Sequence, residues 1–307
     1  MHIAAVASTV FTSMKSITLI AAFLTTFVLT ASGQGTIGSA KKPFPPSTET
    51  FQIPSHGAKL NAMVYIAEGA GPHPVVVLLH GFPGNERNLD LAQDIRRAGW
   101  DVLYFNYRGS WGTPGDFSFG HSIEDVASAV SYLRQADNAK LLRLDPKRIV
   151  LIGHSMGGFM AVEAAAADTA ILGVALISAA DMPGRVPEKP LSKDAEPAFV
   201  QQYATLLAAN GMAPLAGCTP EGLVRELIDN AGQWRFSAKV DALRNRPFLV
   251  VTSDDGLKKM GDDLASGLKR SGNRGVNVEY LRTDHVYSDK RLELSATLRG
   301  WLETLMK

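Results

Sequence analysis

The stretch LIGHSMGGFM, residues 151–160, decides how this chain is read. Ile149 to Ile152 is a short apolar, β-branched run of the kind that forms a buried strand, and it stops at Gly153. Gly158 to Ala167 is alanine-rich and a good helix former. Ser155 therefore sits on a strand-to-helix turn. In Gly-x-Ser-x-Gly the serine takes a strained backbone conformation, and glycines at 153 and 157 keep side chains from striking the neighbouring strand and helix. The turn lifts the hydroxyl out of the packing, at a helix N-terminus whose free N–H groups favour a developing oxyanion. Ser155 is thus a candidate nucleophile rather than a serine caught in a tight turn by chance.

Outward from this turn the chain alternates between two textures. Short apolar runs occur at Thr50–Ile53, Ala62–Ile66, Pro74–Leu79, Asp101–Tyr107, Arg148–Ile152, Gly173–Ile177, Pro247–Thr252 and Val276–Leu281. Several are apolar at nearly every position, as strands covered on both faces are. Between them lie helical spacings: Ile123, Val126, Val130 and Leu133; Leu257, Met260, Leu264 and Leu268; and Leu294, Leu298, Trp301, Leu302 and Leu305. An early hairpin followed by repeated strand-helix units predicts one three-layer α/β domain over residues 50–307, with a mostly parallel eight-stranded sheet. Residues 184–243 interrupt the alternation. A structureless loop of that length is unlike a compact domain, so a small helical cap is expected there. One helix carries Phe199, Tyr203, Leu206 and Leu207 and stops near Gly211; a second starts with Thr219 as N-cap, Pro220 in its first turn, and Leu223 and Leu227 on its apolar face.

A serine hydroxyl is a weak nucleophile near neutral pH and needs a histidine to take its proton, with an acid to orient that histidine. FLVVTSDDG after the seventh strand presents Asp254 and Asp255, and VEYLRTDHVYSD at the eighth presents His285. The chain order serine, acid, histidine is the one expected when successive strand ends of an α/β sheet supply the three groups. Asp255 is taken as the orienting acid, with Asp254 and Asp181 as alternatives; either of the paired aspartates could instead cap the next helix. The oxyanion needs two backbone donors. Met156 N–H follows the nucleophile, and LLHGFPGNERN after the third strand offers Phe82 N–H. His80 in that loop reads as a loop-fixing side chain. Trp111, Phe117 and Phe119 either line the substrate pocket or pack their own loop.

HGFPGNERN, YRGSWGTPGDFSF, DPKRIVLIGHSMGG and DHVYSD together resemble the α/β-hydrolase superfamily, in the branch of prolyl-oligopeptidase-like and acylaminoacyl-peptidase-like serine hydrolases. The likeness covers about residues 50–307. It implies an α/β-hydrolase sandwich and a triad of Ser155, Asp255 and His285, with Phe82 and Met156 as oxyanion donors. There is no room for the N-terminal propeller with which the full-length oligopeptidases filter peptides. Carboxylic ester cleavage through an acyl-enzyme is therefore the first expectation, and short peptide or aminoacyl-amide cleavage the alternative. A dehalogenase or epoxide hydrolase on this fold would carry aspartate at position 155, and a non-catalytic binding protein usually lacks a triad member.

Composition narrows the rest. With 31 Lys+Arg against 30 Asp+Glu, no charge bias points to nucleic acid or to an acidic membrane surface. His73, His80, His121 and His154 lack metal-ligand spacing, and neither metal nor cofactor is expected. Cys218 is the single cysteine and reads as a half-buried filler. Ile17–Ala31 is uncharged, follows Lys15 and runs into Ala31, Ser32 and Gly33, the layout of a secretory signal. A membrane anchor usually needs about 20 apolar residues, so residues 1–33 are read as a signal peptide, residues 34–49 as a linker, and the chain as secreted or periplasmic without stable membrane insertion. Met14-Lys15 fits a signal start better than Met1 does.

Overall fold

The computed structural model describes residues 43–306. The signal segment read at residues 1–33, and the linker as far as residue 42, lie outside the described residues. One sheet contains eight strands: β1 (Ser47–Ser55), β2 (Ala58–Ile66), β3 (His73–Leu79), β4 (Asp101–Phe105), β5 (Leu144–His154), β6 (Gly173–Ile177), β7 (Phe248–Thr252) and β8 (Val276–Tyr280). Their order is β1-β2-β4-β3-β5-β6-β7-β8. β2 is antiparallel to β1 and β4, and all pairings from β4 to β8 are parallel. β1 begins inside the stretch read as linker, because Ser47 pairs with Ile66 and lengthens the hairpin beyond Thr50. His56 and Gly57 close that hairpin with φ of 44° and 82°, the left-handed pair whose twist matches the flanking strands.

Alternate residues of the parallel strands feed two separate cores. Val75, Val77, Leu103, Leu151, Val174 and Val250 face one side; Val76, Leu78, Val102, Ile152, Ala175 and Val251 face the other. The second side is covered by α1 (Leu89–Arg97), through Leu91, Ala92 and Ile95, and by α9 (Arg291–Thr304), through Leu294, Leu298, Trp301 and Leu302. The first side is covered by α2 (Phe119–Arg134), α3 (Ala136–Leu142), α4 (Met156–Ala167) and α8 (Lys258–Arg270). The cap helices α5 (Glu196–Ala209), α6 (Pro220–Trp234) and α7 (Phe236–Leu243) belong to that same core. This is the three-layer sandwich, with its helical cap between β6 and β7.

In the cap, Thr219 accepts the Gly222 N–H on its hydroxyl at 3.0 Å, with Pro220 in the first turn. α5 ends just before Gly211, whose φ is 82°. Leu206 departs from the expected apolar face: it is 47% exposed, and the buried stripe runs through Val200, Tyr203, Ala204 and Leu207 instead. The cap is tied to the body by a Lys239–Glu163 ion pair at 2.8 Å between α7 and α4, and by further hydrogen bonds. Its loop accepts the Trp111 N–H at Pro214 O (2.9 Å) and the Phe117 N–H at Ala216 O (2.8 Å), while Ala216 N–H donates to Gly109 O (2.7 Å). The Glu226 carboxylate of α6 accepts the Phe119 and Gly120 N–H groups, both at 2.9 Å, and so satisfies donors that the first turn of α2 leaves free.

The parallel register sets the candidate site. Leu79 lies beside Gly153, His154 beside Ile177, and Thr252 beside Tyr280. The segments leaving β3, β5, β6, β7 and β8 therefore emerge along one edge of the sheet, where open α/β sheets bind their ligands.

Candidate active site

Ser155 occupies the turn from β5 to α4 with φ 57° and ψ −122°, a region that side-chain-bearing residues seldom enter. Three backbone bonds hold it there. Its N–H donates to the Ile177 carbonyl (3.0 Å), and its carbonyl accepts from Gly158 (2.9 Å) and Ala180 (3.0 Å). The glycines are sterically required. A Cβ on Gly153 would lie 2.1 Å from Gly157 O, one on Gly157 would lie 2.1 Å from Leu79 O, and one on Gly158 would lie 2.4 Å from Ala179 Cβ.

The loop after β3 approaches the serine from the other side. A Cβ built on Gly81 would meet Ser155 Cβ at 3.0 Å and Oγ at 3.4 Å. Among the described residues no backbone or side-chain acceptor takes the N–H of Phe82 or of Met156. The peptide unit that carries Phe82 N–H is gripped by its carbonyl: His80 Nδ1–H donates to Gly81 O at 2.8 Å. In a planar trans peptide, fixing the C=O direction fixes the opposed N–H. His80 is buried against the rings of Tyr104 and Tyr107, and burial lowers its pKa to about 4, so the ring is neutral. Further along the loop, Trp111 Nε1–H donates to Pro83 O at 2.8 Å beneath the Arg87 guanidinium. Phe117 and Phe119 are 2% and 0% exposed and pack on Phe82 with ring centroids 5.8 and 6.3 Å away. Those two aromatics therefore hold their loop and the back of Phe82.

On the far side of Ser155, His285 Nδ1 lies 2.8 Å from Asp255 Oδ2; the carboxylate is 2% exposed and the imidazole 38%. Burial pushes the Asp255 carboxyl up, but hydrogen bonds from His285, Ser178 and the Leu257 N–H outweigh it and hold it at about 2. A carboxylate charged at neutral pH keeps the proton on Nδ1 and leaves Nε2 to accept another. Asp255 Oδ1 also accepts the Leu257 N–H at 2.8 Å, closing the turn that leads into α8, whose N-cap is Leu257 and has no side-chain cap bond. Of the two roles that the paired aspartates offered, Asp255 contacts the histidine, and neither aspartate caps the helix. Asp254 points elsewhere, to the Tyr280 hydroxyl at 2.6 Å. Asp181 accepts the Phe236 N–H at 3.3 Å, beside a cavity of about 820 Å³ between the Met182–Arg185 turn, α7 and α8. Burial raises its carboxyl to about 6. Among the described residues no hydrogen bond joins Ser155 Oγ to the His285 ring. Such bonds commonly tighten only when substrate is bound.

Three supporting residues lie beyond the reach of motif reading. Ser178, at φ 43°, lies 3.0 Å from Ser253 Oγ and 2.9 Å from Tyr287 Oη, behind Asp255. Tyr287 is fully buried under the His285 loop. His154 stands against the His285 ring, with centroids 4.7 Å apart. Cys218 is partly buried, and burial with Asp116 and Glu226 nearby pushes its thiol up, the wrong direction for a nucleophile. Among the described residues no group of three or more His, Cys, Asp or Glu could hold a metal ion, and no helix is long and apolar enough to cross a membrane.

Residues 76–296 match the alpha/beta hydrolase family, and the chain belongs to it. Among curated proteins it is similar to the quorum-quenching protein AidA of Acinetobacter baumannii, 28% identical over 144 residues, which are 45% of this chain and 46% of AidA. It is 29% identical over 130 residues to the uncharacterized protein Rv2307c of Mycobacterium tuberculosis, covering 42% of this chain and 44% of that one. The matches thus span less than half the length of these relatives. Among solved structures, a hyperthermophilic esterase from Pyrobaculum calidifontis superposes with a TM-score of 0.60 at 21% identity, over 85% of this chain and 86% of that chain. Est1E of Butyrivibrio proteoclasticus, with ferulic acid bound, gives a TM-score of 0.61 at 17% identity, over 83% and 99%. These likenesses show a shared fold.

Proposed function

We propose that the protein is an exported serine esterase that cleaves small or medium carboxylic esters through an acyl-enzyme on Ser155. In this reading Ser155 Oγ attacks the ester carbonyl while His285 Nε2 takes the hydroxyl proton, and the Phe82 and Met156 N–H groups hold the tetrahedral oxyanion. Asp255 keeps the imidazole in the Nδ1–H tautomer and stabilises the imidazolium. The imidazolium returns its proton to the leaving alkoxide, and a water deprotonated by the same ring then releases the acid and frees Ser155. The observation that carries the reading is the 2.8 Å contact of His285 with a buried, ionised Asp255 on the sheet edge that also holds the left-handed Ser155. The esterase names among the structural neighbours favour esters over peptide bonds. The Ile17–Ala31 segment supports export.

Labelling with a fluorophosphonate probe, alongside hydrolysis panels of short p-nitrophenyl esters and aminoacyl amides, tests this directly. One adduct is expected, on Ser155, with ester turnover exceeding amide turnover. Ser155→Ala should lose the adduct and about four to six orders of magnitude of turnover while folding normally. Near-wild-type hydrolysis by that variant refutes the proposal, and amide turnover exceeding ester turnover moves it to the peptidase class.

A further inference from the structure

Ser155 and His285 arrive at the sheet edge from β5 and from the loop after β8, which are separated in the sheet by β6 and β7. Ser155 is held by bonds to Ile177, Gly158 and Ala180. The His285 loop is held by bonds within itself and to its neighbours: Asp284 accepts the Val286 and Ser288 N–H groups, and Arg291 donates to Val286 O. None of those contacts relates one group to the other. His154 does. It precedes Ser155 in the chain, its ring lies against the His285 ring at 4.7 Å with 36° between the planes, and its Nε2 is 2.9 Å from the His285 carbonyl oxygen.

We infer that His154 is a positioning residue that ties the His285 loop to the nucleophile turn and so sets the distance over which the base reaches Ser155. The inference rests on the serine-hydrolase reading above. A carbonyl oxygen only accepts, so His154 Nε2 must carry the proton. Nδ1 is then bare, and it is buried without a partner. A second proton on Nδ1 would have no acceptor, which agrees with burial lowering the pKa of His154 to about 4. The neighbour that His285 meets on becoming an imidazolium is consequently a neutral ring face and not a second cation. Because β5 ends at His154 and Ser155 is the next residue, any displacement of the strand end moves nucleophile and base loop together.

Two substitutions separate the donor from the ring. His154→Phe keeps an aromatic face and removes the N–H, whereas His154→Gln places an amide N–H near the position of Nε2. A misplacement of about 1 Å in a reacting pair costs on the order of 100-fold in rate. His154→Phe should therefore lower kcat by about 10- to 100-fold, with KM within about threefold, and His154→Gln should recover to within about fivefold of wild type. Unchanged kcat in a folded His154→Phe, or equal loss in both variants, overturns the inference. Should His154→Phe not fold, the native protein still decides it. In 15N-histidine-labelled wild-type enzyme, His154 should appear as the Nε2–H tautomer with a slowly exchanging ring proton. The Nδ1–H tautomer, or rapid exchange, overturns the assignment. Full activity of Ser155→Ala would defeat the catalytic reading and leave this tautomer result standing, so the two failures are distinguishable.

Discussion

Gly81→Ala probes the approach of the oxyanion loop to the nucleophile. The added methyl would sit 3.0 Å from Ser155 Cβ and 3.4 Å from both Ser155 Oγ and His154 O. Carbon atoms rest at about 3.5–4.0 Å, so roughly 0.5 Å must be found somewhere. Ser155 is pinned by its bonds to Ile177, Gly158 and Ala180, so the yielding element is the loop after β3, which carries Phe82 N–H. An N–H···O bond of about 2.9 Å stretched by that amount leaves the usual range of 2.7–3.2 Å. Complete removal of an oxyanion donor costs about 2.7–4 kcal/mol of barrier. A stretched donor should lose part of this, about 1.4–2.7 kcal/mol, or 10- to 100-fold in kcat. Overpacking should also destabilise the fold by about 1–3 kcal/mol, lowering Tm by several degrees. Steady-state hydrolysis of p-nitrophenyl acetate beside a thermal melt measures both quantities. Wild-type kcat in a folded Gly81→Ala protein would refute the argument that this loop supplies the donor.

Two further predictions concern acidic groups. Asp255→Asn should lower kcat by roughly four orders of magnitude, because an amide favours the wrong imidazole tautomer; Asp254→Asn, whose parent carboxylate bonds Tyr280, should stay within about threefold of wild type. Equal losses in the two variants, read from the same ester assay, would reverse the assignment. At the opposite end of the sheet, burial raises the Asp101 carboxyl from 3.8 to about 7, although it accepts the Ala67 N–H at 2.8 Å. With the folded value above the unfolded one, the native state holds a proton that the unfolded chain releases. Its contribution to stability is thus complete below about pH 4 and is lost as pH rises through about 7. Asp101→Asn keeps an acceptor and cannot ionise, so urea unfolding between pH 5 and pH 8, at steps of about one unit, should show a smaller decline with rising pH than wild type does. Parallel curves would remove Asp101 as the group responsible.

Local sequence determined much of this molecule. The short β-branched runs placed all eight strands, and parallel strands need helices as crossovers. β3, β4, β6 and β7 are buried at every position and so read as nearly continuous apolar runs, whereas the edge strands β1 and β8 are largely exposed and mix polar residues in. Gly153 and Gly157 announced the turn because a Cβ at either would collide with backbone. Thr219-Pro220 announced α6 because capping is local chemistry. The short helix α1 carried a weaker signal, with only Leu91, Ala92 and Ile95 buried among polar neighbours.

Tertiary structure alone decided the rest. Asp254 and Asp255 are equivalent as letters, and only the register of β7 on β8 turns Asp255 toward His285 and Asp254 toward Tyr280. Phe117 and Phe119 would serve equally as pocket lining, until packing against Phe82 buries them. Ser178 behind Asp255, and His154 against His285, come from segments far apart in the chain. The physical reason is range. Propensity, capping and steric exclusion act over a few residues and are written in order along the chain, whereas the partner of a carboxylate or an imidazole is set by strand register across the sheet, which no single segment contains.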